Sequence, residues 1–316
     1  MQRIRLPRRS SPIRFLLGQL FGERLLHQLF RVAAEKQDLI ATYDFFDVSQ
    51  QVELPQYNPK EVIGVVIQGP ISKEITFEFC NYLNATYPEV KVVLSTWEGE
   101  DVSEFSSLLG NNFELCLSRK PTNPGPSNIN LQVASTVAGL DILNKQGCTH
   151  ILKTRTDIFF GNPQFLNYLS SIRRKGNPGA IVFSSFNSFL FRIFSPTDQV
   201  MFGAAEDISS YWSIGIVPQD TEIRIPEQYL FKMYLKSKGF ETFESLNSYL
   251  NALREFTVIA DHEQLGQVWN KGTYTSLSFR WRGESFPNTM SPLSYWLWDL
   301  IKNDDSYIEK LSRKIT

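Results

Sequence analysis

Val62-Ile63-Gly64-Val65-Val66-Ile67 runs directly into Gln68-Gly69-Pro70, and this stretch decides the fold. A short apolar run closed by Gly and Pro reads as a strand buried on both faces that ends in a tight turn. Working outward, a helix is expected around Thr76–Asn84, a second strand over Val90–Thr96 and a third over Phe113–Leu117. Ser127–Asn144 reads as a helix, with Ser127 or Asn128 as its cap after Pro126. His150–Thr154 and Ala180–Ser184 follow as strands four and five, and Gln199–Trp212 and Pro226–Lys238 as helices, the last stopped by Gly239. Strands alternating with helices predict an α/β fold with a Rossmann-type, mostly parallel sheet flanked by helices. The α/β domain is expected over residues 61–280. An N-terminal basic, helical appendage over 1–60 precedes it, and a C-terminal aromatic helical tail over 281–316 follows. Four of the six tryptophans (Trp269, Trp281, Trp296 and Trp298) lie in the last fifty residues, which form either a lid or a packing arm.

The chain has 316 residues and a formal net charge of −1, which argues against a general nucleic-acid binder with a broad basic surface. Its three cysteines, Cys80, Cys116 and Cys148, are widely spaced and without a CxxC, so they read as buried thiols in a reducing, cytoplasmic compartment. His27, His150 and His262 are too scattered for a His-rich metal site. No run of 18 apolar residues is present to span a bilayer. Residues 1–31 carry seven arginines and one acid, Glu23, interleaved with Phe, Leu and Ile. They read either as a basic amphipathic segment lying on the inner face of the cytoplasmic membrane or as an ordinary surface helix.

In open parallel sheets ligands bind beyond the carboxyl ends of the strands. Strand one ends in Gln68 and Gly69, which suit a base or ribose or form a plain tight turn. Strand two ends in Trp97-Glu98, either a stacking platform or a half-buried Trp beside an acidic loop. Asn128, Gln132, Ser135 and Gly139 share one helix face, a neutral polar stripe suited to a polar ligand or another polar surface. The end of strand four, Lys153-Thr154-Arg155-Thr156-Asp157, concentrates the most chemistry. By alternation Lys153, Arg155 and Asp157 share one side. Such a set can hold a diphosphate through Arg and Lys, or through a divalent metal, Mn²⁺ or Mg²⁺, on Asp157. Alternatively Arg155 and Asp157 form an internal ion pair. Asp198 and Glu227 are candidate general bases for an acceptor hydroxyl, or helix-capping acids.

Val65–Ile71, Leu94–Glu98, Asn130–Leu140, Leu152–Asp157 and Asp198–Gly203 occur in an order and at a spacing that resemble the WavE lipopolysaccharide-synthesis family. The resemblance implies a GT-A-like glycosyltransferase that moves a sugar from a nucleotide-sugar donor to a lipid-linked saccharide acceptor in lipopolysaccharide, O-antigen or capsule assembly. Gln68, Gly69, Trp97, Asn128, Gln132, Lys153, Arg155 and Asp157 would then bind the donor, and Asp198 or Glu227 would act in catalysis. Thr154–Asp157 stands where such enzymes carry Asp-X-Asp and lacks the first acid. Two other readings remain open: a nucleotidyl- or phospho-transferase acting on glycans, and a non-catalytic sugar-binding scaffold.

Overall fold

The computed structural model describes residues 61–269, apart from 73, 74 and 111, and residues 293–313, together with a parallel pairing of Ile4–Arg5 with Ala41–Thr42. The chain forms two compact units, Met1–Glu53 with Gly272–Phe279 and Leu54–Lys271 with Arg280–Thr316. Beyond that pairing, the helix expected in residues 1–31 lies outside the described residues. Among the described residues no helix is long and apolar enough to cross a membrane.

The second unit is built on a seven-stranded sheet. In chain order its elements are β1 (Ile63–Gln68), α1 (Thr76–Thr86), β2 (Lys91–Trp97), β3 (Phe113–Ser118), α2 (Ile129–Lys145), β4 (His150–Arg155), β5 (Ile158–Phe160), α3 (Phe165–Arg173) and β6 (Ile181–Ser184). Then come β7 (Met201–Ala204), α4 (Ala205–Trp212), α5 (Pro226–Ser237), α6 (Leu246–Phe256), β8 (Thr257–Ala260), α7 (His262–Leu265), β9 (Gln267–Trp269), α8 (Tyr295–Asn303) and α9 (Asp305–Arg313). The sheet order is β8-β6-β7-β4-β1-β2-β3. Every pairing is parallel except those of β7, which runs antiparallel between β6 and β4. The expected α/β class and mostly parallel sheet are present. A second ladder pairs β5 with β9, with Trp269 opposite Ile158.

β1 is buried along its whole length, as a central parallel strand covered on both faces must be. The apolar layer beneath α1 is aromatic: Phe160 stacks on Phe165 at 4.6 Å, and Phe79 meets Phe160 edge-on at 5.5 Å. Of the C-terminal tail, Trp298 is fully buried and donates to Leu253 O, so the described part is a packing arm.

Two sequence expectations are corrected here. Gln199–Trp212 is not one helix: Met201–Ala204 is strand β7 and only Ala205–Trp212 is helical. Val200, Met201 and Phe202 are buried, the last two in the sheet, and form a continuous apolar run that periodicity does not separate from a helix. Neither Ser127 nor Asn128 caps α2 through its side chain; both take left-handed backbone angles, φ 53° and 62°, in a single 3-10 turn.

The neutral stripe on α2 has a packing cause. A Cβ on Gly139 would lie 2.3 Å from Val66 Cγ2, so the helix touches β1 where only glycine fits. One turn earlier Ser135 donates to Gln68 Oε1 at 2.8 Å, while Ser95 Oγ donates to Ser135 O at 2.6 Å. Small residues therefore face the sheet rather than a ligand at these two positions. Gly139→Ala is expected to destabilise the fold by about 1–3 kcal/mol through overpacking, read as a lowered Tm in thermal unfolding. An unchanged Tm would contradict this packing account.

Candidate active site

The carboxyl ends of β1 and β4 are clasped together. Thr156 N donates to Gln68 O at 3.1 Å, and Thr156 Oγ1 donates to Pro70 O at 2.6 Å. Thr76 Oγ1 donates to Thr156 O at 2.8 Å and so ties the start of α1 to the same point. Gly69 turns between them at φ 122°, a backbone angle that other residues rarely adopt.

This clasp aims the side chains of β4. Lys153 is fully buried; its Nζ donates to Asp198 O at 2.5 Å and sits 4.5 Å from the Trp212 ring centroid. Burial pushes its pKa down to about 8, opposed by the charge of Asp198 and reinforced by that of Arg155. Arg155 makes a bidentate pair with Asp157, Nε to Oδ1 and Nη2 to Oδ2, both at 2.8 Å. Trp269 Nε1 adds a third bond, to Asp157 Oδ2 at 3.0 Å. Burial opposes both charges of the pair. It is outweighed at Arg155 by the bond and charge of Asp157, with Asp198 and Glu227 adding to them, so the guanidinium pKa is held above its ordinary value. At Asp157 it is outweighed by Arg155 and then Trp269, so the carboxyl is held below its usual range.

Asp198 is buried, three residues before β7; it therefore does not cap a helix, as one sequence reading had it. Glu227 lies in the first turn of α5, with its Oε1 3.9 Å from Arg192 Nη2. The charges of both acids act on Lys153 and on Arg155. The structure thus brings Lys153, Arg155, Asp157, Asp198 and Glu227 into one electrostatic neighbourhood. Gln68 is beside it, paired in register with Arg155. Trp97 and Asn128 are at the same sheet edge but outside the charged cluster. Trp97 is only 3% exposed, with Lys120 Nζ 6.0 Å from its ring centroid, and Asn128 is exposed at the start of α2. Gln132 Oε1 is buried without a hydrogen-bond partner.

The expected divalent metal is tested by the donor set. Both oxygens of Asp157 are engaged, one of them twice, by nitrogen donors. Among the described residues no group of three or more His, Cys, Asp or Glu is placed to hold an ion. At nucleotide sites Mg²⁺ and Mn²⁺ take one or two carboxylates, and their other oxygens come from substrate phosphates and water, so the fit turns on the one carboxylate at the end of β4. A carboxylate committed to a guanidinium and an indole does not fit that role.

Sequence reasoning missed several residues here. Trp212 and Trp269 come from distant segments and carry no local signal. Arg192 was overlooked; it donates to Ser195 Oγ at 3.0 Å and lies over Phe189 at 5.6 Å. After β6, Ser184 donates to Gln267 Oε1 at 2.5 Å, and Ser188 Oγ donates to Ser184 O at 2.7 Å. Beside them Asn187 Nδ2, Gln199 Oε1 and Gln267 Nε2 are buried without a partner. The run Ser184-Ser185-Phe186-Asn187-Ser188 at a strand end was the available sequence signal.

Among known families, one described as WavE lipopolysaccharide synthesis matches residues 63–239. No curated protein matches. Solved structures share about a tenth of the sequence. Glucosyl-3-phosphoglycerate synthase from Mycobacterium tuberculosis, solved with Mn²⁺, UDP and glucosyl-3-phosphoglycerate, is 12% identical with a TM-score of 0.43, covering 69% of this chain and 75% of its own. The 4-diphosphocytidyl-2C-methyl-D-erythritol synthase of Anaerococcus prevotii is 10% identical with a TM-score of 0.42, covering 69% and 94%. Mannose-1-phosphate geranyltransferase from Thermus thermophilus is 9% identical with a TM-score of 0.34, covering 64% and 74%.

Proposed function

Because the chain belongs to the WavE lipopolysaccharide synthesis family, we propose that it is a GT-A-like glycosyltransferase that moves a sugar from a nucleotide-sugar to a saccharide acceptor. The acceptor is a lipid-linked glycan of lipopolysaccharide, O-antigen or capsule assembly, met at the inner face of the cytoplasmic membrane, with residues 1–31 as the peripheral contact. The observation that carries this reading is the gathering of Lys153, Arg155, Asp157 and Asp198 at the carboxyl end of β4, with the charge of Glu227 acting on the same two bases.

In this scheme the donor's base and ribose lie along Gln68, Gly69 and Gln132, towards Trp97 and Asn128. Arg155 meets the diphosphate, with Lys153 supplying further positive charge from beneath. Their role is to stabilise the charge that grows on the leaving diphosphate as the glycosidic bond breaks. Asp198 or Glu227 takes the proton of the attacking acceptor hydroxyl. Holding donor and acceptor in line supplies much of the remaining rate enhancement.

The test is incubation of the purified protein with a panel of nucleotide-sugars and extracted lipid-linked glycan. The expected result is release of a nucleoside diphosphate, with a glycan heavier by one sugar. A phosphodiester in the product would instead identify a nucleotidyl- or phospho-transferase. Failure to bind any nucleotide-sugar in calorimetry would leave a sugar-binding scaffold.

A further inference from the structure

Trp269 lies outside the matched span and on the far side of the sequence from the residues it touches. Its ring reaches Asp157, Arg155 and Phe186 together. The indole N–H donates to Asp157 Oδ2 at 3.0 Å, Arg155 Cζ lies 5.9 Å from the ring centroid, and the Phe186 ring meets it edge-on at 5.8 Å. The β5–β9 ladder places it there, because Trp269 is registered opposite Ile158, the residue after Asp157. The ladder in turn depends on Gly266. At φ 59°, with a Cβ that would lie 2.7 Å from Asn162 N and 3.0 Å from Gly161 N, that position admits no side chain without moving backbone. Gly161 N donates to Gly266 O at 2.9 Å and closes the turn.

The pairing of Arg155 with Asp157 is between residues two apart on one strand end, and by itself it would leave both side chains free to rotate together. The bond from β9 removes that freedom. Arg155 spends two of its N–H groups on Asp157, and a guanidinium has about five. The remaining donors are held in a fixed plane, the geometry in which guanidinium binds phosphate oxygens well.

We propose that Trp269 is a positioning residue of the donor site: it fixes Asp157, Asp157 fixes Arg155, and Arg155 meets the diphosphate without a divalent ion. This rests on the donor-site reading above. Asp157 on this account orients a cation rather than ligating a metal, which explains why a single acid suffices at Thr154–Asp157.

The test is calorimetric binding of UDP, GDP, ADP and CDP to the full chain, in EDTA and then in Mn²⁺. At least one nucleoside diphosphate is expected to bind with a Kd that changes less than about threefold between the two conditions. Trp269→Phe keeps the ring and removes the N–H. It should weaken that binding about tenfold, the loss typical of a hydrogen bond to a charged group. It should also flatten the dependence of binding on ionic strength, which a packing defect alone would not do. Arg155→Lys, which cannot make the planar pair, should weaken binding similarly in EDTA and serves if Trp269→Phe fails to fold. Binding that requires Mn²⁺, or Trp269→Phe binding with wild-type affinity, overturns the inference and leaves the donor site standing. Absence of binding by all four nucleoside diphosphates in both conditions overturns the donor-site reading and this inference with it.

Discussion

Arg155→Ala is expected to lower the rate of sugar transfer by about 10²–10³-fold, the usual cost of removing one fixed donor from a developing negative charge. Asp157→Ala should do comparable damage, because the guanidinium it orients would lose its bidentate partner. The two losses should not add: Arg155→Ala with Asp157→Ala should be little worse than the more severe single variant, as for residues acting as one unit. Stability should move differently. The two side chains are 21% and 13% exposed, so removing one leaves a largely buried charge unpaired. That typically costs about 3–5 kcal/mol. The double variant should recover part of this loss. Nucleoside diphosphate release and thermal unfolding, measured on all four proteins, decide the matter. Wild-type transfer by Asp157→Ala would sink the donor-site proposal, and additive rate losses would sink the idea of a unit.

Lys153→Met is expected to separate stability from activity. The ammonium is fully buried against Trp212 and one backbone carbonyl, and its pKa is pushed down to about 8. In the unfolded chain an ordinary lysine titrates near about 10.5. Between these two values the unfolded state binds more protons, so this group's contribution to stability rises with pH. Below about pH 8 both states are protonated and the folded protein carries the full burden of a buried charge. Methionine of similar shape has no such burden. Relative to Lys153→Met, the wild-type protein should therefore gain up to about 3 kcal/mol on going from about pH 8 to about pH 10.5. Transfer should be sharply lower in the variant below about pH 8, and the gap should narrow as pH rises through about 8 and the wild type loses its charge. Urea unfolding of both proteins across this range is the measurement; parallel stability curves would show that Lys153 does not titrate in this window.

The sheet was legible in the sequence because parallel strands are buried on both faces, and such strands appear as short continuous apolar runs. Val62–Ile67 carries that mark throughout and Val90–Thr96 carries it at Val92–Leu94, and they became β1 and β2; His150–Thr154, in which only Ile151 and Leu152 are apolar, also became a strand, β4. The same logic failed at Val200–Phe202, where an equally apolar run beside helix α4 hides an antiparallel strand. The charged end of β4 was legible as a cluster because Lys153, Arg155 and Asp157 are spaced two apart, from the strand into the turn that follows it. Packing was not. Ser135 and Gly139 have the composition of a polar, ligand-facing stripe, and only the closeness of α2 to Val66 and Ser95 shows that they face the sheet. Nor could the chain order of residues tell what Asp157 does. One side of that question lies two residues away, in Arg155, and was open to local reading. The other is the indole of Trp269, 112 residues downstream, brought to the same carboxylate by a three-residue ladder. Local spacing determined which side chains share a strand end. Which of their oxygens are already taken depends on a contact between distant segments, and that exists only once the chain has folded.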